Sequence, residues 1–162
     1  MTKPMLPAFL SVQGYHLSDE EKRLFAQSNP LGVCLFAKGC ANVKNKEQLS
    51  SLCREIKETI GRGDVLIAVD QEGGRVRRLC EPEFTPLAEQ AALTSPELAR
   101  LHAFLAAHDL KNCGINVNFA PVLDICYPFS SNVLKRRCFS GNKEQIAELG
   151  KAMADEYAAN GV

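Results

Sequence analysis

The sequence predicts an α/β fold, and within that class the N-terminal half of a TIM-type (β/α)8 barrel made of about four strand–helix units. Three observations carry this expectation. Extended apolar runs alternate with stretches of helical spacing from one end to the other, the order that builds a parallel sheet with crossover helices. One run, Val65 to Val69 (VLIAV), is apolar at every position, as suits a strand covered on both faces. The Gly-rich phosphate fingerprint that follows the first strand of many doubly wound sheets is missing, which favours a barrel over the open-sheet alternative. Four units are half of an eight-unit barrel, for which roughly 250 residues is typical; this chain has 162.

Each element has a local reason. Pro7 to Gly14 (PAFLSVQG) is expected as the first strand. Leu17 to Gln27 is a helix, opened by Ser18 as N-cap with acidic residues in its first turn. Leu31 to Phe36 (LGVCLF) is the second strand. From Asn45 or Lys46 to Ile60, Leu49, Leu52, Cys53, Ile56 and Ile60 recur at helical spacing, and Gly61 supplies a stop. After the VLIAV strand, Ser95 to Cys113 begins with Ser-Pro-Glu, placing Pro at the first helical position, and ends before Gly114. Ile115 to Ile125 (INVNFAPVLDI) is expected as a fourth strand running into a loop, and Lys143 to Asn160 as an amphipathic helix. With 46% apolar and 23% charged residues the chain should form a core, and residues 1–162 are read as a single domain.

Composition narrows the partners. Nineteen basic and nineteen acidic residues cancel, so the electrostatic footprint of a nucleic-acid or anionic-membrane binder is missing, and a neutral or small partner fits better. The N-terminal stretch MTKPMLPAFLSVQG lacks the unbroken apolar run of a signal peptide or membrane span, so a cytoplasmic protein is expected. The seven cysteines, at 34, 40, 53, 80, 113, 126 and 138, include no C-x-x-C pair. Small reduced hydrophobes are expected there, with no metal site, disulfide framework or thiol catalysis.

Ligands of such folds bind just after strand C-termini, and three segments in those places carry chemistry. The first, Asp70-Gln71-Glu72-Gly73-Gly74-Arg75-Val76-Arg77-Arg78, crowds five charges around a Gly pair. A carboxylate accepts from sugar hydroxyls, an arginine donates in a fixed fork, and the glycines permit close approach of a ligand. Its plain alternative is a polar Gly-Gly turn facing water. The second segment brings Asn118 and Asp124 to the end of the fourth strand, where a structural part is expected, the Asn bonding backbone and the Asp fixing the loop. The third, Asn132 to Ser140 (NVLKRRCFS), clusters Lys135, Arg136 and Arg137; solvated charge is the usual meaning of such a run, yet its place before the last helix suggests that one arginine points inward. His16, His102 and His108 have no metal-ligand partner in sequence, and the two helical ones are read as packing or surface residues.

Taken together, V-D-Q-E-G-G-R-V-x-R, N-F-A-P-V-L-D, the N-V-x-x-x-R-x-F-S loop and the leading L-G-V-x-L-F strand resemble glycoside hydrolase family 3, most closely its bacterial β-N-acetylhexosaminidases. The order and spacing match across the whole chain. The resemblance implies an exo-acting glycosidase that releases terminal N-acetylglucosamine, chiefly from muropeptides in cell-wall recycling, by a retaining double displacement. It implies a carbohydrate substrate, with no metal or organic cofactor, no nucleic acid and no membrane. By motif position, Asp70 is similar to the carboxylate that holds the sugar's outer hydroxyls, Arg78 to a nearby binding arginine, and Arg137 to the arginine of the loop after the fourth strand. Two departures stand out: Lys135 and Arg136 replace the usual Gly and acid before that arginine, and Ala37-Lys38-Gly39-Cys40 replaces a polar loop ending in Asn.

The family's Lys-His sugar-binding pair, its acid/base His loop and its nucleophilic Asp would all fall beyond Val162, so no catalytic residue is expected within this chain. The 162 residues alone are therefore expected to be inactive, and open edges of a half-barrel invite self-association. A non-catalytic sugar-binding or assembly module, or a β-glucosidase of the same family, are the alternative readings.

Overall fold

The computed structural model describes residues 3–36 and 42–162. The segment Ala37-Lys38-Gly39-Cys40 lies outside the described residues, as do the first two residues of the N-terminal stretch. The elements are β1 (Leu6–Ser11), α1 (Asp19–Ser28), β2 (Pro30–Leu35), α2 (Lys46–Ile60), β3 (Leu66–Val69), α3 (Pro96–Asn112), β4 (Val117–Asn118) and α4 (Lys143–Ala159). All strand pairs are parallel and the sheet order is β1-β2-β3-β4. This progression has no reversal of strand order, whereas a doubly wound sheet is defined by one.

The chain divides into two compact units, the first comprising residues up to Val69 with Asn112–Asn118 and the second Asp70–Lys111 with Phe119–Val162. The first holds the sheet, α1 and α2. Ser18 and Glu21 form a reciprocal capping box, the Ser18 hydroxyl accepting from the Glu21 amide at 3.2 Å and the Glu21 carboxylate from the Ser18 amide at 2.7 Å. The Asn45 side chain caps α2 by accepting from the Gln48 amide at 2.8 Å, and Gly61, at φ 78°, closes it with an N–H to the Lys57 carbonyl. Val33, Leu35, Ile67 and Val69 from the strands are fully buried, as are Leu49, Leu52 and Ile56 from α2. Gly32 in β2 is required by close approach, since a Cβ there would stand 2.3 Å from the Leu66 carbonyl oxygen and 2.7 Å from the Phe9 ring.

The fourth strand is much shorter than its apolar alternation suggests: only Val117–Asn118 pairs with β3. Pro121 has no N–H to give to a ladder. Beyond it, the Gln90 side chain takes the place of a neighbouring strand, donating to the Val122 carbonyl at 2.6 Å and accepting from the Val122 amide at 2.9 Å. The half-buried Asn116 side chain bonds backbone, accepting from the Ile67 amide at 2.7 Å and donating to the Val65 carbonyl at 3.1 Å.

The second unit holds α3, α4, a long segment between β3 and α3 with one short 3-10 turn at Gln90–Ala92, and the loops around residues 119–142. Its core joins Ala99, Ala103 and Ala106 of α3 with Leu149, Met153 and Tyr157 of α4. Among the described residues no helix is long and apolar enough to cross a membrane.

Candidate functional site

Asp70 follows β3 directly in the chain, and the segment it opens folds back on itself. The amides of Glu72 and Gly73 both donate to the Val76 carbonyl, at 2.9 and 3.1 Å. Buried Gln71 staples this turn to the residues after it: its side-chain oxygen accepts from the amides of Arg78 and Leu79, and its NH2 donates to the Leu79 carbonyl. Gly73 and Gly74 adopt φ 100° and 55°, values that favour glycine. The close approach they permit is made by the protein itself, because a Cβ on Gly73 would lie 2.1 Å from the Ala88 carbonyl oxygen and 2.7 Å from His102 Nε2, and one on Gly74 would lie 2.7 Å from Glu89 Cβ.

This turn presents two carboxylates two residues apart, and each holds an arginine. Asp70 Oδ2 accepts from Arg78 Nη2 at 2.8 Å. Glu72, buried, grips Arg137 in a two-point fork, Nε to Oε2 at 2.8 Å and Nη2 to Oε1 at 2.6 Å. Such planar bidentate pairing fixes a guanidinium in orientation as well as position. The bonds to Glu72 raise the pKa of Arg137 above its already high ordinary value, with Asp124 adding a weaker pull.

The loop that delivers Arg137 is shaped by short-range bonds. The Arg137 amide donates to the Leu134 carbonyl at 2.8 Å, and Arg75 reaches across to the carbonyls of Asn132 and Val133. Arg136 adopts a left-handed backbone, φ 77°, and turns its side chain to Glu89 at 2.6 Å, while its carbonyl accepts from the Ala91 amide. One arginine of the basic run is thus drawn inward and its neighbour stays outside: the Arg137 side chain is 25% exposed and that of Arg136 73%. The extra cation of this loop is spent on Glu89, leaving Glu72 to Arg137.

Glu72 and Gln71 were not singled out by residue type, because a Glu or Gln in a charged Gly-Gly turn looks solvated. Asn118 is half-buried at the end of β4, in register with Val69, and Asp124 is exposed. His102 is buried with Nε2 3.1 Å from the Ala88 carbonyl, which makes it a donor there and leaves Nδ1 as a bare acceptor with no hydrogen-bond partner. Among the described residues no group of three or more His, Cys, Asp or Glu side chains is arranged to hold a metal. The chemistry this arrangement offers is recognition: two oriented guanidinium donors beside two carboxylate acceptors, the pattern that suits adjacent hydroxyls.

Residues 6–162 match the model of the glycosyl hydrolase family 3 N-terminal domain. A protein named beta-hexosaminidase from Psychromonas ingrahamii is 36% identical over 98% of this chain and 47% of its own length, and one from Bordetella avium is 33% identical with the same coverage. Among solved structures, NagZ from Neisseria gonorrhoeae in complex with N-trifluoroacetyl-D-glucosamine superposes with a TM-score of 0.88 at 32% identity, covering 98% of this chain and 47% of that one. A family 3 β-N-acetylglucosaminidase from Paenibacillus gives 0.83 at 29%, covering 95% and 30%. The chain spans about half the length of the curated relatives it matches. With a parallel four-strand α/β sheet and a family match over nearly all of its residues, the chain belongs to glycosyl hydrolase family 3, matching its N-terminal domain.

Proposed function

We propose that this chain supplies the sugar-holding part of a β-N-acetylhexosaminidase, a cytoplasmic glycosidase that removes terminal β-linked N-acetylglucosamine from muropeptides or related glycans in cell-wall recycling, by a retaining mechanism. The observation that carries the reading is the double pairing of Asp70 with Arg78 and of Glu72 with Arg137 on one turn after β3. In this reading Asp70 accepts from the outer hydroxyls of the sugar, and Arg78 and Arg137 donate to its oxygens. Glu72 takes Nε and one Nη2 hydrogen of Arg137, which leaves Nη1 to face a ligand. The residues within 1–162 bind and orient; neither the leaving-group acid nor the nucleophile of a double displacement is assigned to any of them. The relatives named beta-hexosaminidase, and the neighbour holding an N-acyl-glucosamine, support the choice of sugar.

Saturation-transfer NMR with the purified chain tests this. N-acetylglucosamine should receive saturation, and Arg137→Ala should reduce the transfer several-fold while the circular dichroism stays unchanged. Absence of transfer to any sugar would remove the basis for the reading. The same chain should not release dye from a chromogenic N-acetyl-β-glucosaminide.

A further inference from the structure

A pair of thiols beside the Arg137 loop has no part in sugar recognition. The Cys126 amide donates to the Ser140 carbonyl at 3.0 Å, and a Cβ on Gly141 would lie 2.9 Å from the Cys126 carbonyl oxygen, so residue 126 runs hard against residues 140 and 141, two and three positions after Cys138. Across this contact Cys126 lies near enough to Cys138 to help push its thiol pKa up, after burial, and Cys138 Sγ donates to the Leu134 carbonyl at 3.4 Å. Cys126 is half-buried and Cys138 is buried. The arrangement therefore puts a half-buried cysteine near a buried one, with the backbone of residue 126 tied to that of residue 140.

We propose that Cys126 and Cys138 are a reversible disulfide site, oxidised by low-molecular-weight disulfides such as oxidised glutathione. Cys126 attacks first, as its thiolate, on one sulfur of the oxidant; a mixed disulfide forms and one thiol of the oxidant leaves. Cys138, after losing its proton to solvent, attacks the Cys126 sulfur, closes the Cys126–Cys138 bond and expels the second small thiol. Two protein thiols are oxidised and one small disulfide is reduced to two thiols, and excess small thiol reverses both steps. Burial first, then the neighbouring Cys126 and Asp124, push the Cys138 thiol up, which disfavours it as the first to attack. A bond of about 2.05 Å needs the two sulfurs to approach each other, which torsion of side chains on neighbouring stretches of backbone supplies. Cys138 follows Arg137 in the chain, so the bond would tie the loop carrying that arginine to residue 126.

The contrast with the other neighbouring thiols defines the site. Cys53 and Cys113 also lie close together, but both are about 1% exposed and burial pushes the Cys53 thiol up to about 12. No oxidant reaches them in the folded protein. Cys80 is exposed and serves as a comparison thiol.

The purified chain, incubated with oxidised glutathione, is denatured, alkylated with N-ethylmaleimide and mapped by mass spectrometry. A peptide linked from 126 to 138, with neither cysteine alkylated, should be found and should be released by dithiothreitol. Cys138→Ser should accumulate glutathione on residue 126, Cys126→Ser should leave Cys138 unmodified, and Cys80→Ser should keep the link. Alkylation of all seven cysteines, a link joining another pair, or glutathione on Cys138 at full rate in Cys126→Ser would overturn the proposal. None of these readouts depends on sugar binding.

Discussion

Gln71, Glu72 and Gly73 are consecutive, and each does something different. Gln71 binds the turn to the backbone of residues 78 and 79, Glu72 holds a guanidinium from 65 residues away, and Gly73 lets the Ala88 carbonyl come where a side chain would stand. Because Glu72 is buried while Arg137 is a quarter exposed, the pair lies between the weak surface case and the costly buried one. Glu72→Gln keeps the shape and removes the charge; it should lower the unfolding free energy by about 1–3 kcal/mol and weaken N-acetylglucosamine binding while far-UV circular dichroism is unchanged. A urea midpoint equal to that of the parent chain would mean that the fork contributes nothing. Asp70, Arg78 and Arg137 were visible in the sequence as charged residues in motif positions, and the structure gives each a carboxylate or guanidinium partner. Glu72 was invisible for a physical reason: its burial is made by a loop remote in sequence, and nothing within its own turn distinguishes it from a solvated acid.

Where an element is ended by its own neighbours, the sequence locates it closely. Ser18, Asn45 and Gly61 each satisfy or close a helix end through bonds three or four residues long, and α1 and α2 start and stop within a residue or two of expectation. The fourth strand is the opposite case. Its alternation runs to Phe119 and its apolar content on to Leu123, yet the ladder stops at Asn118, since Pro121 offers no donor and a side chain 32 residues away takes the backbone of Val122. Periodicity within one segment carries no information about so distant a partner. Gln90 is 1% exposed and Val122 half-buried, so Gln90→Leu should leave a partly buried N–H and C=O without bonds and cost about 1–3 kcal/mol. Hydrogen exchange should then quicken at Val122 and its neighbours while the amides of β2 and β3 keep their protection; uniform loss of protection would indicate global unfolding and contradict the local account.

At the scale of the whole molecule, one buried imidazole couples stability to pH. Desolvation pushes the pKa of His102 below its ordinary value, and the Ala88 carbonyl opposes this only in part. In the unfolded chain the group protonates near its ordinary value of about 6.5, so below that pH the unfolded state takes up a proton that the folded state refuses. The contribution is whole above about pH 6.5 and is lost as the pH falls. The urea midpoint should drop between about pH 7.5 and about pH 5, and His102→Gln should flatten that drop; an equal slope in the variant would place its origin elsewhere. The unreversed order β1-β2-β3-β4 is likewise a property of the whole chain, legible in advance only as four alternating units. The paired charges of the second unit have a further consequence. Arg77, Arg78, Arg136 and Arg137 each carry a counter-ion of their own, Glu81, Asp70, Glu89 and Glu72. Four of the six cations in these two basic stretches are therefore cancelled locally, and their pull on phosphates or sulfates is correspondingly weaker, whereas an uncharged ring can dock with every pair intact and with little sensitivity to salt.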